Sequence, residues 1–90
     1  MDNSFRVEIY TPKELFFDAD AEYLKISGLD GEYGIMKNHV PTVIALREGG
    51  AEITKDGEKL RFILGGGYLE MKDNLAKIFV ADCKKNEKAE

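Results

Sequence analysis

The side chains best suited to chemistry gather in one stretch, Gly28–Pro41, which reads GLDGEYGIMKNHVP. It holds two carboxylates, Asp30 and Glu32, and the only histidine, His39. Two carboxylates side by side are what a glycosidase uses as acid and base. A histidine with an orienting acid is the general base of many hydrolases. Either reading needs companions. Ser4 and Ser27 stand in no context that marks a nucleophile, and no Gly-x-Ser-x-Gly elbow occurs. A lone histidine near Pro41 is more often structural or interfacial than catalytic. Acids among Gly28, Gly31 and Gly34 more often form a solvated turn. Metal chemistry has less support: His39 and Cys83 lie 44 positions apart, outside any ligand spacing. Gly65-Gly66-Gly67 is followed by Tyr68-Leu69-Glu70 rather than Lys-Ser/Thr and a helix, so it is no phosphate loop. The same test removes Gly28-x-x-Gly31-x-x-Gly34 as a dinucleotide motif. The residues therefore predict no catalytic group, no metal and no cofactor. An acidic loop meeting a basic or polar partner, with charge setting the register, suits them better.

The elements that hold this stretch follow from size and pattern. Ninety residues make one domain with a modest core. With 43% hydrophobic and 33% charged residues, the composition is that of a folded globular chain. The net charge of −4 argues against nucleic acid and against anionic lipid. The single Cys83 fits a reducing compartment. An N-terminus without an apolar run predicts no signal peptide, and no run is long enough to span a bilayer.

Short alternating runs dominate. Phe5, Val7 and Ile9 alternate with polar neighbours up to Thr11-Pro12; Leu15–Phe17, Leu24 with Ile26, Val40–Leu46 and Ala51–Lys55 follow. Asp56-Gly57 predicts a hairpin into Leu60, Phe62 and Leu64, and Lys72-Asp73-Asn74 a second one between Tyr68–Met71 and Ala76–Val80. The triple glycine predicts a bulge or a corner. Strands at this spacing predict an all-β fold, an antiparallel sandwich or barrel. The charged tail, 83–90, is expected to fray or to begin a helix.

Together these residues resemble the N-terminal β-sandwich domain of the epsilon subunit of F-type ATP synthases, called delta in mitochondria. The matching pieces are Val7-Glu8-Ile9-x-Thr11-Pro12, then Gly28-x-x-Gly31-Glu32-Tyr33-Gly34-Ile35-x-x-x-His39-x-Pro41, then Gly66-Gly67-Tyr68-Leu69-Glu70-Met71-x-x-Asn74, and Ala81-Asp82. The resemblance implies an all-β fold, an antiparallel β-sandwich of about ten short strands over 1–82, and a non-catalytic rotor subunit of the central stalk, on the cytoplasmic face of the membrane. Such a subunit joins gamma to the ring of c subunits and couples ion translocation to ATP synthesis. By position, Gly28, Leu29, Asp30, Gly31 and Glu32 would touch the c-ring, with Glu32 foremost. Thr11, His39, Val40, Pro41 and Ile44 would face gamma. Where the family commonly has Pro-Gly before the histidine, this chain has Lys37-Asn38, and Asn can still take a left-handed turn. The family's C-terminal pair of helices is expected to be absent, along with its inhibitory action and nucleotide binding. Two other readings remain open: a stand-alone sandwich binding a peptide or sugar through Tyr33, Tyr68 and the acids, and a small hydrolase using His39 with Asp30 or Glu32.

Overall fold

A computed structural model describes residues 3–86. Nine strands form among them: β1 (Phe5–Tyr10), β2 (Leu15–Ala21), β3 (Tyr23–Gly28), β4 (Gly31–Ile35), β5 (Thr42–Lys55), β6 (Glu58–Leu64), β7 (Gly67–Lys72), β8 (Leu75–Val80) and β9 (Cys83–Lys85). The all-β expectation holds. Every pairing is antiparallel except one: β1 lies parallel to β8. Val7 and Ile9 must reach the core beside Ala76 and Ile78, and the parallel register delivers both.

The runs Val40–Leu46 and Ala51–Lys55, expected as separate strands, are one fourteen-residue strand, β5. It belongs to both layers. Thr42–Leu46 pairs with β7, while Gly49–Lys55 pairs with β6 and Tyr23–Ile26 of β3 pairs alongside. One layer is thus β2-β1-β8-β7-β5 and the other β9-β6-β5-β3-β4. Between them lie Val7, Ile9, Leu24, Ile26, Ile35, Ile53, Leu69 and Ile78, all fully buried. Phe16 and Phe17 of β2 close the side of the sandwich edge-on against Phe62 of β6.

The glycine corner is where the chain changes layers. Two crossovers run side by side there, Gly65-Gly66 from β6 to β7 and Ala81-Asp82 from β8 to β9. They are tied by Gly65 N–H to the Asp82 carbonyl (2.9 Å) and Ala81 N–H to the Gly66 carbonyl (3.1 Å). Residues 83–85, expected to fray or start a helix, are instead strand β9, paired with β6 at Cys83↔Leu64, Lys84↔Ile63 and Lys85↔Phe62. The register offers three short residues a ready ladder, which outweighs their helix propensity. Residues 87–90 lie outside the described residues.

Both predicted hairpin turns are present. Asp56 and Gly57 have φ of 52° and 81°, and Asp73 and Asn74 have 52° and 62°, as a type I′ turn requires. We expect Gly57→Val to lower stability by about 1–2 kcal/mol, because a β-branched residue is strained at positive φ. Urea unfolding monitored by circular dichroism measures this.

Candidate functional site

The Gly28–Pro41 stretch divides into a hairpin tip, a strand and a connection. Gly28 pairs with Gly31, leaving only Leu29 and Asp30 outside the ladder. The tip folds back on the neighbouring layer through Leu29 N–H to the Ala45 carbonyl (2.9 Å). Leu29 is 68% exposed, and Asp30, Gly31 and Glu32 are exposed with it. The Tyr33 hydroxyl donates to both Asp30 carboxylate oxygens, at 2.9 and 3.0 Å. That bond holds the phenol's proton and pushes the Tyr33 pKa up. Of the five residues expected to face the ring, Gly28 is buried and Leu29, Asp30, Gly31 and Glu32 are exposed around the tip.

His39 lies beyond the other end of β4. Its Nδ1 is 2.9 Å from the Val40 carbonyl, and the Thr42 hydroxyl donates to that same carbonyl at 2.8 Å. Asn38 has φ of 68°, so the left-handed turn expected of Lys37-Asn38 forms. Asn38 N–H donates to Asn74 Oδ1 (2.6 Å) and Asn74 Nδ2 donates to Asn38 Oδ1 (3.2 Å). The connection that carries His39, Val40 and Pro41 is therefore pinned to the β7–β8 turn. His39 and the acids sit at opposite ends of β4, so the pairing a hydrolase needs does not form. Among the described residues, no three of His, Cys, Asp and Glu gather where a metal could bind.

The residues expected to face gamma divide in the same way. Thr11 lies at the end of the tip; its Oγ1 accepts from Lys13 N–H and Glu14 N–H (3.3 Å each) and shapes the β1–β2 turn. His39, Val40 and Pro41 lie at the far end. Ile44 is only 3% exposed and belongs to the core. Strand alternation turns its neighbour Val43 outward instead, at 71% exposure.

Near the tip end of the outer face lies a row of side chains that are far apart along the chain. Leu15, Tyr10, Phe79, Tyr68 and Ala45 stand in register across β2, β1, β8, β7 and β5. Tyr10 stacks on Phe79 with ring centres 5.2 Å apart, and Tyr68 stacks on its other side at 5.1 Å. The Tyr10 hydroxyl is anchored on the Glu8 carboxylate at 2.8 Å. Leu15 and Tyr68 remain 45% and 47% exposed, so the row forms an apolar band on the outer face of the first layer. The predicted β7–β8 hairpin already made Tyr68 and Phe79 neighbours; nothing local showed that β1, with Tyr10, lies beside them.

Cys83, half-buried between the β1–β2 turn and β6, has its thiol pushed up to about 11, first by burial and then by Asp82. A thiol raised from 9.0 to about 11 carries about 100-fold less thiolate at pH 8. We expect iodoacetamide to alkylate the folded chain about 100-fold more slowly than the urea-unfolded chain at that pH, as read by mass spectrometry. The sign follows for stability: the unfolded thiol ionises first, so the contribution of Cys83 is lost as pH rises towards 11.

Comparison with known proteins places these features. The family model for the β-sandwich domain of the ATP synthase delta/epsilon chain matches residues 4–86. The ATP synthase epsilon chain of Pelotomaculum thermopropionicum is 30% identical over 96% of this chain and 64% of its own length. That of Chlorobium limicola is 34% identical over 90% of this chain and 93% of its own. The chain thus spans a little over half the length of several of the curated relatives it matches. Among solved structures, a chain of the Euglena gracilis mitochondrial ATP synthase superposes with a TM-score of 0.90 at 19% identity, covering all of this chain and 58% of its own. A chain of the Tetrahymena thermophila mitochondrial ATP synthase central stalk and c-ring gives 0.76 at 18%, over 88% of this chain and 64% of its own. The matched stretch takes in all nine strands, and the chain belongs to the delta/epsilon β-sandwich family of ATP synthase.

Proposed function

We propose that this chain is a non-catalytic subunit of the central stalk of an F-type ATP synthase, carrying torque between gamma and the c-ring. One observation carries the reading: the sandwich presents an exposed apolar band on its outer face and an exposed acidic tip that adjoins one end of it. From Leu46, beside the tip, to Thr42, beside Pro41, is four residues of strand, about 13 Å. A partner lying along the outer face thus meets Thr11 at one end, Tyr68 and Val43 between, and His39, Val40 and Pro41 at the other. We assign that face to gamma. The tip, Gly28–Glu32, is left free for the ring, and a close-packed interior between the two deforms little under load. The chain works peripherally, on the cytoplasmic face of the membrane, with no substrate or cofactor of its own. Among the described residues, no helix is long and apolar enough to cross a bilayer. A stand-alone peptide or sugar module has no support in the comparisons.

Glu32→Lys tests the ring side. Glu32 is exposed and lies at the end of the hairpin, so the domain keeps its fold. In the assembled enzyme we expect ATP-driven ion uptake per ATP hydrolysed to fall about 5-fold or more, since reversing one charge of a close pair is worth upward of about 1 kcal/mol. An unchanged ratio with intact assembly removes Glu32 from the contact.

A further inference from the structure

We infer that Tyr33 is a positioning residue for the ring contact, and that it makes Leu29, rather than Asp30, the group offered at the point of the tip. The inference rests on the ring-facing reading of the hairpin. Three observations build it. First, the Tyr33 hydroxyl bridges both oxygens of the Asp30 carboxylate, so that charge is used inside the hairpin. Second, the Tyr33 ring lies across Gly28: a Cβ there would stand 2.7 Å from Tyr33 Cε1. An aromatic ring over a cross-strand glycine stiffens a hairpin that glycine would otherwise loosen. Third, Leu29 has its backbone tied to Ala45, and the residue is 68% exposed. A large apolar side chain on a braced turn is a pre-organised anchor, because little freedom remains to be lost on binding.

The tip then presents two chemistries a short step apart. Leu29 offers an apolar knob. Glu32 offers a carboxylate with no side-chain partner among the described residues. The partner surface that fits is a shallow apolar recess with a basic or amide group at its rim. Asp30 and Tyr33 act behind this pair by holding it in place.

Disulfide trapping in the assembled enzyme, in a Cys83→Ser background, tests the assignment. Leu29→Cys and Glu32→Cys are each paired with single cysteines along the polar loop of the c subunit, and the rate of cross-linking under mild oxidation is followed. We expect both to cross-link. We expect Tyr33→Phe to slow trapping at Leu29→Cys about 5-fold, the worth of one solvent-exposed hydrogen bond. Asp30→Asn should slow it equally, and the double variant Asp30→Asn/Tyr33→Phe no further, because the two residues act as one unit. Tyr33→Phe keeps the ring over Gly28, so thermal melting of the isolated chain should stay within a few degrees of the parent. Trapping at the parent rate in Tyr33→Phe, or slowing by Asp30→Asn and Tyr33→Phe that multiplies, overturns the positioning role while the ring contact stands. Failure of both tip cysteines to cross-link anywhere on the ring overturns the contact itself, and the inference with it.

Discussion

Gly67→Ala should be strongly destabilising, although it adds only one methyl group. Gly67 opens β7 at the layer corner and pairs with both Leu46 of β5 and Val80 of β8. A Cβ placed there collides with the Phe79 carbonyl oxygen and lies 2.9 Å from Val80 Cα. Both obstacles are backbone, so no rotamer change relieves them; the β7–β8 ladder must open at that end. We expect a loss of about 2–4 kcal/mol, in the range of substitutions that force core backbone apart. For a domain this size the melting temperature should drop by about 10–20 °C. Gly66→Ala is the control. Its Cβ meets the Leu46 carbonyl oxygen at 3.6 Å, an ordinary contact, so it should stay within about 1 kcal/mol of the parent. Scanning calorimetry of the two variants side by side reads the difference.

Tyr68→Asp should cost the most in binding. Tyr68 stacks on Phe79, the middle residue of the outer band, and has about half its own surface open to a partner. Aromatic residues in the middle of an interface carry a large share of its energy, and a carboxylate put there would be desolvated without a mate. We expect affinity for the cognate gamma subunit to fall about 30-fold or more, a hot-spot loss of about 2 kcal/mol. Lys59→Asp is the matched control, since Lys59 is exposed on β6, in the other layer. It should leave the affinity unchanged. Titration calorimetry with purified gamma gives both values.

What could be read from the residues alone was local. The Asp56-Gly57 and Asp73-Asn74 turns were visible because two adjacent residues with left-handed preference are enough to make a type I′ turn. The alternation of Phe5, Val7 and Ile9 was visible because one buried face imposes a period of two. Hidden features depend on distant pairing. Nothing near Gly49-Gly50 shows that β5 runs through it, because what carries the strand across is pairing with β6 on one side and the change of layer on the other. Cys83–Lys85 looks helical by composition and is a strand because β6 supplies an edge.

The site divides along the same line. The tip was legible because its residues are contiguous. The outer band was not, because its two halves, Leu15 with Tyr10 and Phe79 with Tyr68, are joined only through the parallel β1–β8 pairing. Ile44 shows how fine the margin is: one residue along a strand exchanges the core for the surface, and Val43 holds the outward position. The Tyr33–Asp30 bond is sequence-local, yet it needs a ring orientation that spacing does not encode.

The central claim is that this sandwich binds gamma along its outer face. The most direct measurement is to mix the chain with its cognate gamma subunit at micromolar concentration and pass the mixture over a sizing column with light scattering. The account predicts a single peak with the mass of a one-to-one complex, which Tyr68→Asp splits and Lys59→Asp leaves whole. Two separate peaks for the parent chain, each at the mass of its own component, would contradict it.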